Sequence, residues 1–404
     1  MESASISPMP DEKTARAPGK SHTRIGRPPF ERIALLLQGG GALGAYQAGV
    51  YEALSEVHLE PDWIAGISVG AINAALISGN PPGSRVEKLR EFWQRVTCGG
   101  PWNAGALIAM APAAVRGDFA RSLVNQLSAG AALVGGVPGF FAPRLPVAWL
   151  QPPGSLEATS YYDTAPLMST LERLVDFDRI NAGHMRFSVG AANVSTGNFV
   201  YFDSTTHTIG PEHVTASGAL PPGFPPVEIE GEFYWDGGLV SNSPLQWVLE
   251  SEPRRDTLAF QVDLWSARGT VPRTIAEVMT RQKEIQYSSR TRSNSDRFRY
   301  TQKLRNAVSR LIQKLPEELR DSPEVTLLEP HASPKAYNLV QLVYRAKQYE
   351  GDSKDYEFSR LSMQDHWQAG YYDTVRTLRH PEVLATPDNL EGVMTFDLSQ
   401  NGRE

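Results

Sequence analysis

A serine stands between two glycines at residues 66–70, whose sequence is Gly-Ile-Ser-Val-Gly. Residues 63–66 are mostly apolar, as in a buried strand, and residues 71–77 have the apolar composition of a buried helix. A serine on a tight turn between strand and helix is held exposed above the sheet, and glycines beside it leave room for the strained backbone. Ser68 is therefore a candidate nucleophile for acyl transfer, because the amides that open the helix favour the anion formed there. The alternative is that Ser68 only caps the helix.

Asp236 could serve as the base for this serine. It follows a predicted hairpin at residues 227–235 and precedes two glycines that permit close approach. It could then receive the serine proton without an intervening histidine. An exposed carboxylate is too weak a base, so we expect burial beside an apolar wall such as Trp235 or Phe224 to raise its pKa. Taken alone, an aspartate before glycine is also typical of a turn in which it bonds backbone amides.

A glycine-rich stretch at residues 39–44 follows the short apolar run at residues 33–37. Its glycines also satisfy the G-x-G-x-x-G spacing of dinucleotide-binding units, in which an acidic residue closes the second strand. Here the acid nearest the second strand, Asp62, stands at its beginning. The pattern therefore does not favour a dinucleotide site.

In chain order, the glycine-rich stretch at 39–44, the elbow at 66–70 and Asp-Gly-Gly at 236–238 resemble the motifs of the patatin-like phospholipase family, over roughly residues 31–250. The resemblance implies a three-layer α/β/α fold and a Ser-Asp dyad that hydrolyses acyl esters of lipids. It implies Ser68 as the nucleophile and Asp236 as the proton acceptor. We expect no metal ion and no nucleotide cofactor, since backbone amides meet the oxyanion and a carboxylate takes the proton.

The glycine loop would supply the oxyanion hole in such an enzyme. By motif position, the resemblance implies the amides of Gly39, Gly40 and Gly41 as the donors. The other motif glycines are Gly44, Gly66, Gly70, Gly237 and Gly238. Two positions depart from the common family pattern, because Gln38 stands where an Asp or Gly often precedes the glycines and Leu43 where an Arg or Lys is usual. The missing cation weakens the case for an anionic headgroup held there.

Two other hydrolase hypotheses remain open. A Ser-His-Asp triad would require His331, His366 or His380 to reach the serine, and none of them lies in a recognisable catalytic context. A small soluble ester or an acyl thioester would use the same serine and aspartate as a lipid ester. The sequence predicts an acyl hydrolase in either case, with a lipid ester of the phospholipase A or lysophospholipase type as the favoured substrate.

The elements around the motifs predict an α/β fold with a mainly parallel central sheet. A helix is predicted from residue 44 to 57, an amphipathic helix at 86–96 and a short helix at 214–219. Residues 187–194 and 199–202 predict a hairpin with its turn at 197–198, and residues 227–235 a second one with its turn at 230–231. The predicted catalytic domain spans residues 31–266.

Charge and cysteine content limit the function classes. The 404 residues carry a net charge of −6 with a pI near 5.8, which argues against general nucleic-acid binding. Cys98 is the single cysteine, so an internal disulfide framework is excluded, which fits a reducing compartment. Residues 1–30 lack an apolar run and are predicted to be a disordered tail rather than a secretory signal. We expect a cytoplasmic protein, which in an alternative prediction also contacts a membrane peripherally. The sequence indicates no oligomeric state.

An apolar segment at residues 102–150 interrupts the predicted catalytic domain. No charged residue stands between Arg121 and Arg144, yet glycines and a proline break the stretch, so a transmembrane helix is not favoured. A mobile lid or lipid-facing insertion and a buried helical hairpin are both consistent with this composition. The lipid hypothesis predicts that residues 122–143 line or cover an acyl channel.

Residues 267–404 form a region of different composition, predicted to be mostly helical. A basic run at 281–314 carries apolar residues at helical spacing. Such helices could pack over the catalytic domain, which we favour, or dock on an anionic membrane or a partner. Strands are predicted at 325–328 and 339–344 and a helix at 358–378. We predict no separate catalytic role for this region.

Overall fold

The computed structural model describes residues 26–97 and 117–398. Most of the predicted tail, Cys98 and the first part of the apolar segment lie outside the described residues. The chain packs against the folded domain slightly before residue 31, the predicted start of that domain. Phe30 is buried, and Arg27 Nη2 lies 2.6 Å from a carboxylate oxygen of Asp62.

Strands of one large sheet dominate the centre of the molecule. In chain order, the strands of the described chain are β1 (Arg32–Leu37), β2 (Trp63–Ile67), β3 (Ala142–Pro143), β4 (Tyr162–Asp163), β5 (Arg186–Asn193), β6 (Phe199–Asp203), β7 (Val227–Ile229), β8 (Glu232–Asp236), β9 (Thr257–Asp263), β10 (Tyr337–Val343) and β11 (Val393–Phe396). The large sheet has the order β11-β10-β9-β1-β2-β5-β8-β7, with β6 also paired to β5, while β3 and β4 form a small separate pair. The six strands from β11 to β5 in this order are parallel.

Helices connect these strands. In chain order, the α-helices of the described chain are α1 (Ala45–Glu56), α2 (Val69–Ser78), α3 (Arg85–Val96), α4 (Asp118–Gly135), α5 (Ala165–Leu174), α6 (Phe177–Asn181), α7 (Pro211–Ser217), α8 (Leu245–Glu250), α9 (Ile275–Lys314), α10 (Glu317–Arg320), α11 (Pro323–Leu328) and α12 (Arg360–Thr377). Helices α1, α3 and α12 confirm three of the predictions, and the short helix expected at 214–219 begins earlier, at Pro211.

Alternate residues of β1 belong to two separate hydrophobic cores. Ile33, Leu35 and Leu37 lie in the larger core with residues of α1, α2 and α3. Ala34 and Leu36 lie in the smaller core, which residues of α8 and α9 close. Because successive side chains of a strand point to opposite faces, helices cover both faces of the sheet. This is the three-layer α/β/α architecture that was predicted.

Both predicted hairpins are confirmed. Strands β5 and β6 pair antiparallel, as do β7 and β8. Their turns contain residues with positive φ, at Gly197 in the first hairpin and at Glu230 and Gly231 in the second. Asparagine or glycine at such positions is a strong local signal, and this made the hairpins predictable.

The C-terminal region contributes strands as well as helices. The predicted strand at 339–344 is confirmed as β10, which pairs with β9, and β11 extends the same sheet without having been predicted. The prediction of a strand at 325–328 was wrong, because these residues form α11. The Oγ of Ser322 accepts a hydrogen bond from the amide of Val325, and Pro323 opens the helix. This capping pattern favours a helix at these residues, although the apolar run had suggested a strand.

The described part of the apolar segment begins with α4. One side of α4 is buried at Asn125, Ala129 and Ala132, while Leu127 and Val134 on the other side are exposed. In the described residues this segment thus contains a half-exposed helix, and residues 102–116 of the predicted segment lie outside them. No helix of the described chain is long and apolar enough to cross a bilayer.

Candidate active site

Ser68 stands between the end of β2 and the start of α2. Its backbone has φ 56° and ψ −126°, in the left-handed region that is strained for a residue with a Cβ. Its amide donates to the carbonyl oxygen and to the hydroxyl of Ser217, each at 3.1 Å. A Cβ at Gly66 would overlap the backbone of Gly70, so the turn cannot accept a larger residue there. This is the geometry of a nucleophile elbow.

Asp236 lies beside this serine because of the register of the sheet. Ile67 is opposite Gly190 of β5, and Ala191 is opposite Asp236 at the end of β8. Both residues line the same cavity, and the Ser68 side chain is near enough to the Asp236 carboxylate to oppose the rise in its pKa. The structure therefore brings together two residues whose motifs are more than a hundred and fifty positions apart.

The Asp236 carboxylate is buried. Desolvation raises its pKa to about 6, although hydrogen bonds from the Gly238 amide and from Ser68 oppose the shift. The Gly238 amide lies 2.7 Å from its Oδ1. Phe224 lines the adjoining cavity, so an apolar wall is present as expected. A carboxylate with such a pKa is a better proton acceptor than an exposed aspartate, and it is ionised at neutral pH.

The glycine loop follows β1 and closes against the elbow. A Cβ at Gly39 would lie 2.9 Å from the Ser68 Cβ, so the loop backbone and the serine are in close contact. Gly41 has φ 55° and begins a short 3-10 helix that ends at Gly44. Among the hydrogen bonds within the described residues, none uses the amide of Gly39, Gly40 or Gly41. All three glycines line the same cavity as the serine.

The other motif glycines lie around the same centre. Gly44 packs against Val69, and Gly70 against the carbonyl of Leu37. Gly237 packs against the carbonyl of Gly190, in the strand that pairs with β8.

Three polar side chains hold the glycine loop, and the motifs did not identify them. Asn242 Nδ2 and Trp265 Nε1 both donate to the Gly39 carbonyl, at 3.0 and 2.9 Å. Gln38 Oε1 accepts from the amides of Leu264 and Trp265, at 2.6 and 3.1 Å. The departure from the family pattern at residue 38 was the only sequence signal that pointed to one of these three side chains. The side chain at this position ties the loop to the end of β9.

The C-terminal region forms the far wall of the site. The Ala42 amide donates to the Asp355 carbonyl at 2.8 Å, and a Cβ at Gly41 would overlap that carbonyl. Lys283 Nζ, from α9, lies 2.9 Å from the Asp355 carboxylate. Gln38 Nε2 donates to the carbonyl of Tyr287, also in α9. This packing agrees with the favoured prediction for the basic helix, which contacts the catalytic loop.

An apolar cavity of about 300 Å³ opens above Ser68. Its wall comes from the elbow, from the end of α4 and the loop after it, and from the C-terminal region. The apolar lining residues include Val69, Ile72, Leu133, Phe140, Phe141, Phe224 and Phe358. Leu43 is fully buried elsewhere in the core, so its position offers no cation to a headgroup.

The described histidines do not complete a triad. None of them lines the cavity that contains Ser68. His366 is buried, with Nε2 3.3 Å from Glu350, and His380 lies 3.1 Å from Glu382 on the surface. Asp62 accepts from the Ile33 amide near the start of β1, at the opposite end of that strand from the glycine loop. Within the described residues, no group of three or more His, Cys, Asp or Glu side chains could hold a metal ion.

Comparison with known proteins assigns the chain to a family. The sequence model of the family described as patatin-like phospholipase matches residues 35–248, which is more than half of the chain. A second model, described as patatin phospholipase, matches residues 285–390 in the C-terminal region. The chain therefore belongs to the patatin-like phospholipase family, whose members are lipid acyl hydrolases.

Individual relatives are distant. No curated protein matches the chain. Among solved structures, VipD from Legionella pneumophila is 14% identical with a TM-score of 0.38, and the match covers 92% of this chain and 72% of that one. A chain of the SpcU complex with ExoU, from the type III secretion system of Pseudomonas aeruginosa, is 17% identical with a TM-score of 0.26. That match covers 75% of this chain and 60% of the other.

Replacing Gln38 by alanine is expected to lower kcat about 10- to 100-fold while KM changes less than about threefold. The loop amides would lose their fixed position, and such positioning acts mainly in the transition state. Steady-state kinetics on a soluble ester measure both constants. Trp265→Phe, which keeps the ring and removes one donor to Gly39, should give a smaller loss in kcat. A raised KM with unchanged kcat in Gln38→Ala would instead place this residue in substrate binding.

Proposed function

We propose that this chain is a serine hydrolase that cleaves carboxylic ester bonds of lipids through an acyl-enzyme on Ser68, with Asp236 as the only base. The observation that carries the proposal is that the serine on its strained turn and the buried carboxylate line the same apolar cavity, at the ends of strands joined through β5. A hydroxyl nucleophile requires a base close to it, and the placement of the carboxylate supports that role.

The proposed reaction has two steps. Asp236 takes the proton of the Ser68 hydroxyl as Oγ attacks the ester carbonyl, and the oxyanion is held by the amides of Gly39, Gly40 and Gly41. The carbon–oxygen bond to the alcohol then breaks, and Asp236 returns the proton to the leaving oxygen. In the second step Asp236 takes a proton from water as the water oxygen attacks the acyl-enzyme carbonyl. The bond from the acyl carbon to Ser68 Oγ then breaks, Asp236 returns the proton to Oγ, and the fatty acid is released.

The size of the cavity favours a single acyl chain. About 300 Å³ is at the lower end of the range for ligand sites, roughly 300–1,000 Å³. We infer that one chain enters the cavity and that the headgroup remains outside. Leu133, Phe140 and Phe141 belong to the stretch at 122–143, for which an acyl-channel role was predicted. Their position beside Ser68 supports that role.

Turnover of nitrophenyl esters is expected to rise with acyl length until the cavity is full. Each buried methylene contributes about 0.8 kcal/mol, so kcat/KM should rise by up to about fourfold per carbon. Rates on esters from acetate to palmitate, together with a phospholipid and an acyl-coenzyme A, would test this. Leu133→Trp should narrow the cavity and move the optimum to shorter chains. Leu127→Trp, on the exposed side of the same helix, is the matched control and should leave the optimum unchanged.

A preference for the shortest esters, with no gain from added carbons, would argue against a lipid substrate. It would favour the small soluble ester as the substrate of the same serine and aspartate. Preferred hydrolysis of the acyl-coenzyme A would favour the thioester.

A further inference from the structure

An exposed apolar surface lies beside the cavity. Leu145, Trp149 and Leu150 are 88%, 77% and 75% exposed, although all three are large apolar residues. We call this surface the apolar collar, and it consists of Leu133, Val134, Leu145, Trp149, Leu150 and Tyr161. Single exposed apolar residues are ordinary on protein surfaces, whereas several grouped together mark an interaction site.

Contacts join the collar to the cavity. The rings of Trp149 and Tyr161 are 5.6 Å apart, and the carbonyl of Tyr161 accepts from the Arg144 amide at 3.1 Å. The next residue, Tyr162, lines the cavity and donates its hydroxyl to the Leu133 carbonyl at 2.8 Å. Leu133 lines the cavity and is also exposed, as is Leu220. Leu133 and Leu220 therefore stand at the cavity mouth, and the collar lies beside it.

The collar also lacks charge. Arg144 is the only charged residue between positions 122 and 156, although 21% of the whole chain is charged. Its guanidinium is directed to the Ser160 hydroxyl, with Nε at 3.0 Å. A stretch with a single charged residue offers little to a partner recognised by salt bridges, and exposed tryptophan and tyrosine are typical of groups placed at a membrane interface.

We propose that the apolar collar docks the enzyme on the surface of a lipid bilayer. The proposal rests on the lipid hydrolase function above and adds the surface through which the substrate is reached. Contact between the collar and the bilayer removes water from the path between the membrane and Ser68, so that an acyl chain passes from one apolar phase into another. Docking through apolar side chains requires no anionic lipid. Docking through the basic α9 would require one, so lipid charge distinguishes the two surfaces.

Flotation of the full chain with vesicles of phosphatidylcholine tests the proposal. This lipid has no net charge, so binding reports apolar contact. Wild-type protein is expected to float, and Leu150→Asp to bind at least about tenfold more weakly because a charge must then enter the interface. Leu390→Asp is the matched control and should bind like wild type. Leu390 is also 75% exposed but lies before the edge strand β11, at the opposite end of the parallel strands from Ser68.

Hydrolysis of a soluble nitrophenyl butyrate separates docking from catalysis. Leu150→Asp should keep this activity within about twofold of wild type while its hydrolysis of vesicle phospholipid falls with binding. Trp149→Ala, which adds no charge, should weaken vesicle binding in the same direction. Equal flotation of wild type and Leu150→Asp would overturn the proposal, as would a wild-type dimer that dissociates in Leu150→Asp. Flotation without any ester hydrolysis would instead overturn the lipid hydrolase function.

Discussion

Replacing Ser68 by alanine is expected to abolish labelling by a fluorophosphonate probe and to lower ester hydrolysis by about 10⁴-fold or more. The probe reacts with an activated serine hydroxyl, and the proposed acyl-enzyme forms on this Oγ. Loss of the nucleophile in serine hydrolases leaves only the residual rate that the oxyanion hole and substrate binding supply. Gel fluorescence after labelling and initial rates on a nitrophenyl ester measure the two effects.

Ser241→Ala is the matched control for this prediction. Ser241 lies five residues after Asp236. Its hydroxyl donates to the Ser243 carbonyl, and the residue does not line the cavity above Ser68. It should label and turn over like wild type. Undiminished labelling of Ser68→Ala would place the nucleophile at another residue, and the proposed reaction would then be wrong.

Replacing Asp236 by asparagine is expected to lower turnover by about 10³- to 10⁴-fold while the free energy of unfolding at neutral pH increases. The amide has the shape of the carboxylate and cannot take the serine proton. The stability effect follows from burial. Since the folded-state pKa is raised to about 6 from an ordinary 3.8, the folded protein holds this proton more tightly than the unfolded chain.

The sign of the pH dependence follows from this difference. The wild-type contribution is most favourable below about pH 4 and is lost as the pH rises through about 6, because the ionised carboxylate is buried. Asparagine has no charge to bury, so Asp236→Asn should be about 1–3 kcal/mol more stable than wild type at pH 8 and similar to it at pH 4. Chemical denaturation at both pH values measures this. In wild type, kcat/KM should fall below about pH 6, as Asp236 becomes protonated.

Asp263→Asn separates catalysis from stability. Asp263 is buried at the end of β9, and burial raises its pKa to about 7, but it does not line the cavity above Ser68. This variant should also gain stability at pH 8 and should keep its activity. Full activity in Asp236→Asn would exclude Asp236 as the base. An inactive but folded His366→Ala variant would revive the triad hypothesis.

Local patterns in the sequence were enough to identify the elbow, the glycine loop and both hairpins. Each depends on interactions between near neighbours in the chain. Gly66 is required because a Cβ would overlap Gly70, four residues away, and the positive φ of Gly197 and Gly231 forms tight turns. Such requirements fix the residue type at particular positions of a motif, so the motif can be recognised from the sequence.

The environment of the site was decided by tertiary structure. Gln38 bonds the amide of Leu264, and Gly41 packs on the carbonyl of Asp355, across more than two hundred residues of chain in each case. Contacts of this kind have no periodicity or spacing in the sequence. The strand β11 was missed for the same reason, since its place at the sheet edge comes from pairing with β10.

Sequence alone determined which residues could do acyl-transfer chemistry, because the local backbone that each requires is encoded next to it. Only the tertiary structure decided that Asp236 is buried beside Ser68 and that its pKa is raised. It also placed the wall from the C-terminal region around the cavity and left the apolar collar exposed. Burial depends on the packing of all surrounding elements, and desolvation then sets the charge that a carboxylate carries at neutral pH.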